Sequence, residues 1–323
     1  MSLPLYFHEP GAGSPFSSVL IKMFYESAVD GSVASAADAN SNYYGKVLQT
    51  TNDLKTNACC TAEVPSVEIN KALSNISEAV REKYYGCGLI TPDCLKGMRI
   101  LDIGCGAGRD VYLLSQLVGP EGFVTGIDIT PEQLDVARSN IEWHMDRFQF
   151  DCVNVSFIDA AMEDLSMLED DSFDIIVSNC VINLSSNKRS VFQNAYRVLK
   201  PGGEMYFSDV YSSKRLPSDL KRDETLWGEC LSGALYWNDF LRLAKEVGFH
   251  DPRLLKSTPI AIRNKGLQDK CGTATFYSAT YRLFKISDLE FDCEDYGQAV
   301  VYNGGIASNP HAFTLDGHHV IEK

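Results

Sequence analysis

Positive charge is in short supply: 29 Lys and Arg stand against 43 Asp and Glu, giving a net charge of −14. Such a surface repels nucleic acid and anionic membranes, so neither is an expected partner. No apolar run approaches the ~18 residues of a membrane span. The opening MSLPLYFHEPGAGSPF has no basic stretch followed by an apolar one and is not Arg-rich, which argues against a secretory or transit signal. There is no internal repeat and no C-x₂-C pair, and the missing pair weakens a zinc reading. Ten cysteines in 323 residues are too few for a disulfide scaffold. With a cytoplasmic, reducing setting expected, a functional thiol is a ligand or a redox catalyst rather than a staple.

What remains is ordinary globular composition, 45% hydrophobic and 22% charged, enough for a sizeable core. At roughly 150 residues per domain the length suits two domains. Residues 1–40 are weakly patterned and are expected to form a flexible arm. The spacing of Ile69, Leu73, Ile76, Val80 and Tyr84 predicts a helix over 65–85, stopped by Gly86. Strands are predicted at 98–103, 123–129, 155–158, 173–177 and 204–210. Thr130, Pro131 and Gln133 open a helix as N-cap, N1 and N3, with Leu134, Ala137, Ile141 and Phe148 on its apolar face. Lys200-Pro201-Gly202-Gly203 reads as the turn before the last of these strands. Strands alternating with helices imply βαβ units, an α/β class with a parallel doubly wound sheet. Beyond about residue 211 the rhythm changes. Strand-like alternation at 275–284 and a strand running into a turn at 300–305 suggest an α+β region over 211–323, after a first domain spanning 41–210.

The segment Leu101-Asp102-Ile103-Gly104-Cys105-Gly106-Ala107-Gly108 follows the first strand and opens a helix. Glycines at 104, 106 and 108 permit positive φ and a close ligand approach. The G-x-G-x-G spacing differs from the G-x-G-x-x-G of dinucleotide sites, which suits a ligand without a pyrophosphate. Asp102 suits an ammonium group. Asp128, 20 residues past Gly108 and ending the second strand, can accept from two ribose hydroxyls. A tight βα turn or an NAD site are the competing readings of the glycines alone. The glycines, the strand, the helix and the acid together favour a nucleoside site.

These residues resemble the class I methyltransferase pattern: Leu101 to Gly108 its first motif, Asp128 its ribose acid, and Leu199 to Gly203 the turn before its fifth strand. The resemblance covers roughly residues 80–210. It implies S-adenosylmethionine and a Rossmann-like seven-stranded sheet with one antiparallel strand. It extends the donor site to Ile129, Met162, Glu163 and Asn179, with Glu163 placed to accept from the adenine amino group. A solvated loop acid is the alternative for Glu163, and Ala161 stands where relatives often carry an acid.

Cys180 ends a predicted strand, on the edge where open α/β sheets bind substrates. Cys230 lies in the second region, Cys87 follows the first helix, and Cys59 and Cys60 sit in a polar stretch. A lone cysteine is most often a small buried hydrophobe, the expectation for Cys94, Cys105, Cys152, Cys271 and Cys293. The stretches LKTNAC, YYGCGL, SNCVINL, LWGECLSGALYW and YNGG, however, resemble the arsenite methyltransferase family from about Tyr43 onward. In that family thiols at the Cys180 and Cys230 positions bind As(III), and those at Cys59 and Cys87 join in ligation and redox steps. Soft As(III) suits soft thiolates, and on three sulfurs it keeps a nucleophilic lone pair that needs no general base. The resemblance also implies a thiol reductant, glutathione or a thioredoxin-type dithiol, and an arsenical substrate delivered free or as a glutathione complex. Cys59 with Cys87 is the expected redox pair, and Cys60 departs from the single cysteine expected there. A cysteine-rich tail, frequent in that family, is not in this sequence, and its loss is expected to be tolerated. A monomer is expected. The competing functions are a C- or O-methyltransferase acting on a small molecule and a non-catalytic arsenic-binding protein.

Overall fold

The computed structural model describes Ser41 and residues 65–84, 86, 88–217, 220, 223, 226–227, 230–262, 264–291, 296–306 and 308–323. The expectation for residues 1–40, and those for Cys59, Cys60, Cys87 and Cys293, lie outside them.

Short apolar runs become the strands β1 (Arg99–Ile103), β2 (Phe123–Asp128), β3 (Val155–Asp159), β4 (Phe173–Asn179) and β5 (Leu199–Ser212). All pair in parallel in the order β3-β2-β1-β4-β5. A two-residue β6 (Leu235–Tyr236) adds to β5. The chain then supplies β7 (Arg253–Ile260) and β8 (Phe276–Phe284). β8 inserts antiparallel between β5 and β7. The eight-stranded sheet is thus the implied seven-stranded one, with a single antiparallel strand, plus the small β6. Its last two strands come from beyond residue 211. A separate hairpin pairs β9 (Ala312–Thr314) with β10 (Val320–Glu322).

Helices cover both faces. α1 (Val67–Ser74), α2 (Glu78–Arg81), α3 (Arg109–Val118), α4 (Pro131–Ser139) and α5 (Ile141–Phe148) lie on one side. Their apolar residues Val80, Leu113, Leu114 and Leu134 pack with Ile100, Val124 and Val177 of the sheet. On the other side α6 (Lys188–Val198) and α7 (Trp237–Val247) bury Phe192, Ala195, Phe240 and Ala244 against Ile176, Phe207 and Tyr281. A further helix, α8 (Lys265–Cys271), helps build a smaller cluster that contains Cys180 and Cys230.

Several local expectations change. The helix expected over 65–85 breaks after Ser74, because Ser77 leaves the helical ladder for tertiary partners. Its N–H donates to His144 Nε2 at 3.1 Å and its hydroxyl to Asn140 Oδ1 at 2.9 Å. Thr130 caps α4 by position and Pro131 stands at N1, but no side-chain cap bond forms. The expected turn at 200–203 is carried inside β5, where Leu199 pairs with Phe173 and the register then shifts. No strand forms at 300–305: Val300 and Val301 stay exposed and Asn303 Oδ1 instead accepts from Gly305 N–H at 2.9 Å. The strand β7 was not predicted; its Pro259 and mixed polarity suit a sheet edge.

His144 is the keystone of the α2–α5 contact. Nε2 accepts from Ser77, so Nδ1 carries the proton and donates to Asn140 O at 2.6 Å, while the ring stacks on Tyr112 with centroids 3.6 Å apart. Burial pushes its pKa down to about 4. The neutral ring is therefore favoured by folding. Its contribution is complete above the unfolded pKa of about 6.5 and is lost as pH falls toward 4, at no more than about 1.4 kcal/mol per pH unit. Urea titrations across that window are expected to show this slope in the parent and a flatter profile in His144→Gln. An equal slope in both would remove His144 as its source.

Candidate active site

The carboxyl ends of β1, β2 and β4 open into one cleft, the place where open α/β sheets bind their ligands. Asp102, Gly104, Gly106, Asp128, Ile129, Met162, Asn179 and Cys180 line it. Of the expected donor residues, Gly108 and Glu163 are not among the lining. Gly108 is the N-cap of α3 in a left-handed conformation, φ +86°, and a Cβ there would lie 2.8 Å from Phe157. Its glycine serves helix–sheet packing. Glu163 Oε1 accepts a short hydrogen bond from the Ser185 hydroxyl, and its carbonyl accepts from Asn194 Nδ2 at 2.7 Å.

The glycine loop is built for close approach. At Gly104 φ is +78° and a Cβ would stand 2.6 Å from Val181. At Gly106 φ is +52° and a Cβ would meet nothing nearer than 4.0 Å, so the space before it is open to a ligand. The N–H groups of Gly104 and Cys105 both donate to Ile127 O at 2.9 Å, which ties the loop to β2. Asp128 accepts from Gly106 N–H at 2.8 Å and Thr130 N–H at 2.9 Å. Burial raises its pKa, and these bonds hold it down against that. Burial, then Asp110 and Asp128, push Asp102 well above the carboxylate range. A cationic ligand would relieve this crowding of acids.

Sequence reasoning missed the wall formed by Lys83, Tyr84, Arg109 and Asp110, all of which line the cleft. The Arg109 guanidinium lies 3.1 Å from the Tyr84 ring centroid and pairs with Asp110 at 2.6 Å. Asn179 Nδ2 donates to Tyr84 Oη and Gly88 O, both at 2.7 Å, and to Asp110 Oδ2 at 3.2 Å. The only sequence signal was the Arg109-Asp110 pair directly after the glycines.

Cys180 and Cys230 come together although 50 residues separate them. Cys180 N–H donates to Ser208 O at 2.8 Å, at the point where the chain leaves β4. Cys230 Sγ donates to Cys180 O at 3.2 Å. Both cysteines are buried and both adopt positive φ, +59° and +60°, a strained choice for a side-chain-bearing residue. Asp209, unforeseen from sequence, joins them: its carboxylate and the two Sγ atoms all lie within 4.8 Å of one another. Asn183 N–H at 3.0 Å and Val210 N–H at 2.8 Å bind its two oxygens. Burial pushes its pKa up to about 7.

Cys180 is disulfide-bonded. Cys105 and Cys271 are buried, as expected of small hydrophobes. Cys94 and Cys152 are exposed, which corrects that expectation for both; each sits in a polar connection, beside Asp93 and Asp151.

The sheet order, the glycine loop and the acid ending β2 define an α/β methyltransferase, and residues 95–248 match a methyltransferase-domain family. Among relatives, the arsenite methyltransferase of Aquipseudomonas alcaligenes is 57% identical over 87% of this chain and 81% of its own length. The human arsenite methyltransferase is 48% identical over 85% and 73%. The crystal structure of an arsenic(III) S-adenosylmethionine methyltransferase from Chlamydomonas reinhardtii superposes with a TM-score of 0.77 at 48% identity, covering 80% of this chain and 88% of that one. The chain belongs to the arsenite methyltransferase family.

Gly233 tests how the two thiols are juxtaposed. A Cβ there would fall 2.1 Å from the backbone oxygen of Asn183, so Gly233→Ala must push the Cys230 segment away from the Cys180 segment. Overpacking of this kind costs about 1–3 kcal/mol. Thermal unfolding should show that loss, and a thiol-bridging reagent that links Cys180 to Cys230 in the reduced parent should fail in the variant. Undiminished bridging would mean that the contact does not set the spacing.

Proposed function

We propose that this chain methylates trivalent arsenic held on Cys180 and Cys230, with S-adenosylmethionine as donor. The observation that carries this reading is the meeting of two buried cysteine sulfurs with a cleft that Cys180 itself lines. When bound, S-adenosylmethionine supplies an electrophilic methyl group on a sulfonium. The cleft fits it in shape and in charge. Open space before Gly106 admits a ligand against the backbone, and buried Asp102 and Asp128 suit a cation and a ribose. Ile129 and Met162 would flank the adenine and Asn179 would hold the wall of the cleft. Glu163 would reach the adenine only after leaving Ser185.

The protein's task is alignment. Thiolates at Cys180 and Cys230 take arsenic out of water and leave its lone pair directed at the cleft, with Cys59 or Cys87 supplying a third sulfur. No proton leaves arsenic, so no general base is needed. Orientation of this kind can supply about 7–11 kcal/mol. Methyl transfer to the lone pair raises the formal oxidation state of arsenic by two, a formal loss of two electrons. Two thiols return those electrons by forming a disulfide and releasing two protons. An external dithiol or glutathione then reopens that bond. The disulfide at Cys180 supports an acceptor thiol that takes part in this cycle, alongside the expected pairing of Cys59 with Cys87. Exposed free thiols at Cys94 and Cys152 suit a reducing, cytoplasmic setting.

Mass-spectrometric arsenic speciation tests the reading. With As(III), S-adenosylmethionine and a dithiol, the parent should yield methylated arsenicals, and Cys180→Ser and Cys230→Ser should yield none while still binding the donor. Asp128→Ala should weaken donor binding by about 2 kcal/mol or more, roughly thirtyfold, as expected for lost hydrogen bonds to a charged group. A Cys180→Ser enzyme with parental turnover would instead mark a C- or O-methyltransferase.

A further inference from the structure

Asp209 sets this thiol pair apart from a purely soft site. Its carboxylate lies within 4.8 Å of both Sγ atoms, and all three residues are buried: Cys180 is 6%, Asp209 2% and Cys230 1% exposed. We propose that Cys180, Cys230 and Asp209 form a site for a thiophilic divalent cation of the zinc–cadmium class, which competes with trivalent arsenic for the same two thiols.

Three properties of the cluster favour such a cation. The first is donor chemistry. Thiolate sulfur and carboxylate oxygen are both ordinary zinc donors, so the carboxylate adds to the two soft sulfurs a harder donor suited to a borderline dication. The second is geometry. Zn–S and Zn–O bonds of about 2.3 and 2.0–2.2 Å put tetrahedral donors roughly 3.5–3.8 Å apart. The three donor atoms lie within 4.8 Å of one another, so closing of about 1 Å brings them to that spacing once the Cys180 disulfide is reduced. Asp209 is pre-oriented for this by the Asn183 and Val210 N–H groups, the kind of outer support that metal-binding carboxylates use. The third is charge. With both thiols ionised, three anions share one buried pocket with Lys188 as the cation acting on Asp209, and burying that surplus of negative charge is costly. A dication removes the surplus. The fourth coordination position would face the cleft that Cys180 lines and take water.

Binding forms two metal–sulfur bonds and one metal–oxygen bond and releases the two thiol protons to solvent; no electron is transferred. The site exists only when the Cys180 disulfide has been reduced. The proposal uses the thiols of the arsenic reading but needs neither arsenic nor a methyl donor, so the two readings fail separately.

The test is titration of the full chain, reduced with a phosphine, with Cd²⁺ alone. Calorimetry gives affinity and the ultraviolet cadmium–thiolate band reports sulfur ligation. One tight equivalent is expected, displaced by excess As(III), lost in Cys230→Ser and retained in Cys271→Ser. Removing even an outer-shell partner of a metal costs about 10–100-fold, so Asp209→Asn should weaken that equivalent at least about tenfold. X-ray absorption at the cadmium edge of the one-equivalent parent complex needs no variant to fold, and should show two sulfurs and lighter oxygen donors. Absence of a tight equivalent, parental affinity in Asp209→Asn or Cys230→Ser, or a shell of three or more sulfurs would each overturn the proposal.

Discussion

The glycine-loop cleft and the cysteine pair are joined through one short stretch of backbone, the exit of β4. There the Cys180 N–H bonds to Ser208 O on β5, and the Asp209 carboxylate binds the N–H of Asn183 just beyond. Parallel pairing of β4 with β5, Asn179 opposite Ser208, sets this joint. Because side chains alternate along a strand, Asn179 faces the cleft network while its neighbour turns toward the second cluster. The left-handed conformation at Cys180, φ +59°, completes the turn. It brings one thiol to both the cleft and Cys230.

The surrounding fold makes that joint rigid. β8 lies antiparallel along β5 over nine paired residues, from Glu204 to Ser212, so Ser208 and Asp209 sit inside the sheet rather than at its edge. Phe276, Leu267 and Cys271 then pack beneath Cys230. Strands beyond residue 211 therefore do more than append a substrate region. They fix the strand that holds the Cys180 loop.

Electrostatics divides the site in two. Around the glycine loop the acids Asp102, Asp110 and Asp128 crowd one another, moderated by Arg109. Around Cys180 and Cys230 the buried carboxylate of Asp209 is tied down by backbone donors. The first half suits a cationic, ribose-bearing molecule and the second suits a thiophilic ion. Among the described residues neither half presents a histidine, in keeping with the proposed transfer, which asks for alignment rather than proton movement.

Local sequence determined a good deal. The apolar runs of β1, β2, β4 and β5, the positive-φ glycines at 104 and 106, the acid ending β2 and the motif cysteines 180 and 230 were all legible, because each expresses a local periodicity, a backbone need or a short motif. The break between α1 and α2 was not, since it depends on a partner, His144, 67 residues from Ser77. The strand β7 escaped because its pairing with β8, not its composition, makes it a strand. Glu163 looked like an adenine contact in sequence, and only packing turned it toward Ser185. Asp209 was invisible as a site residue, for an acid in a strand becomes one only when the sheet closes around it. Sequence alone thus determined the class of chemistry, through residue types that must be there. Tertiary structure alone decided which of those residues meet, because contact across 50 residues is set by strand register and burial, which no local pattern encodes.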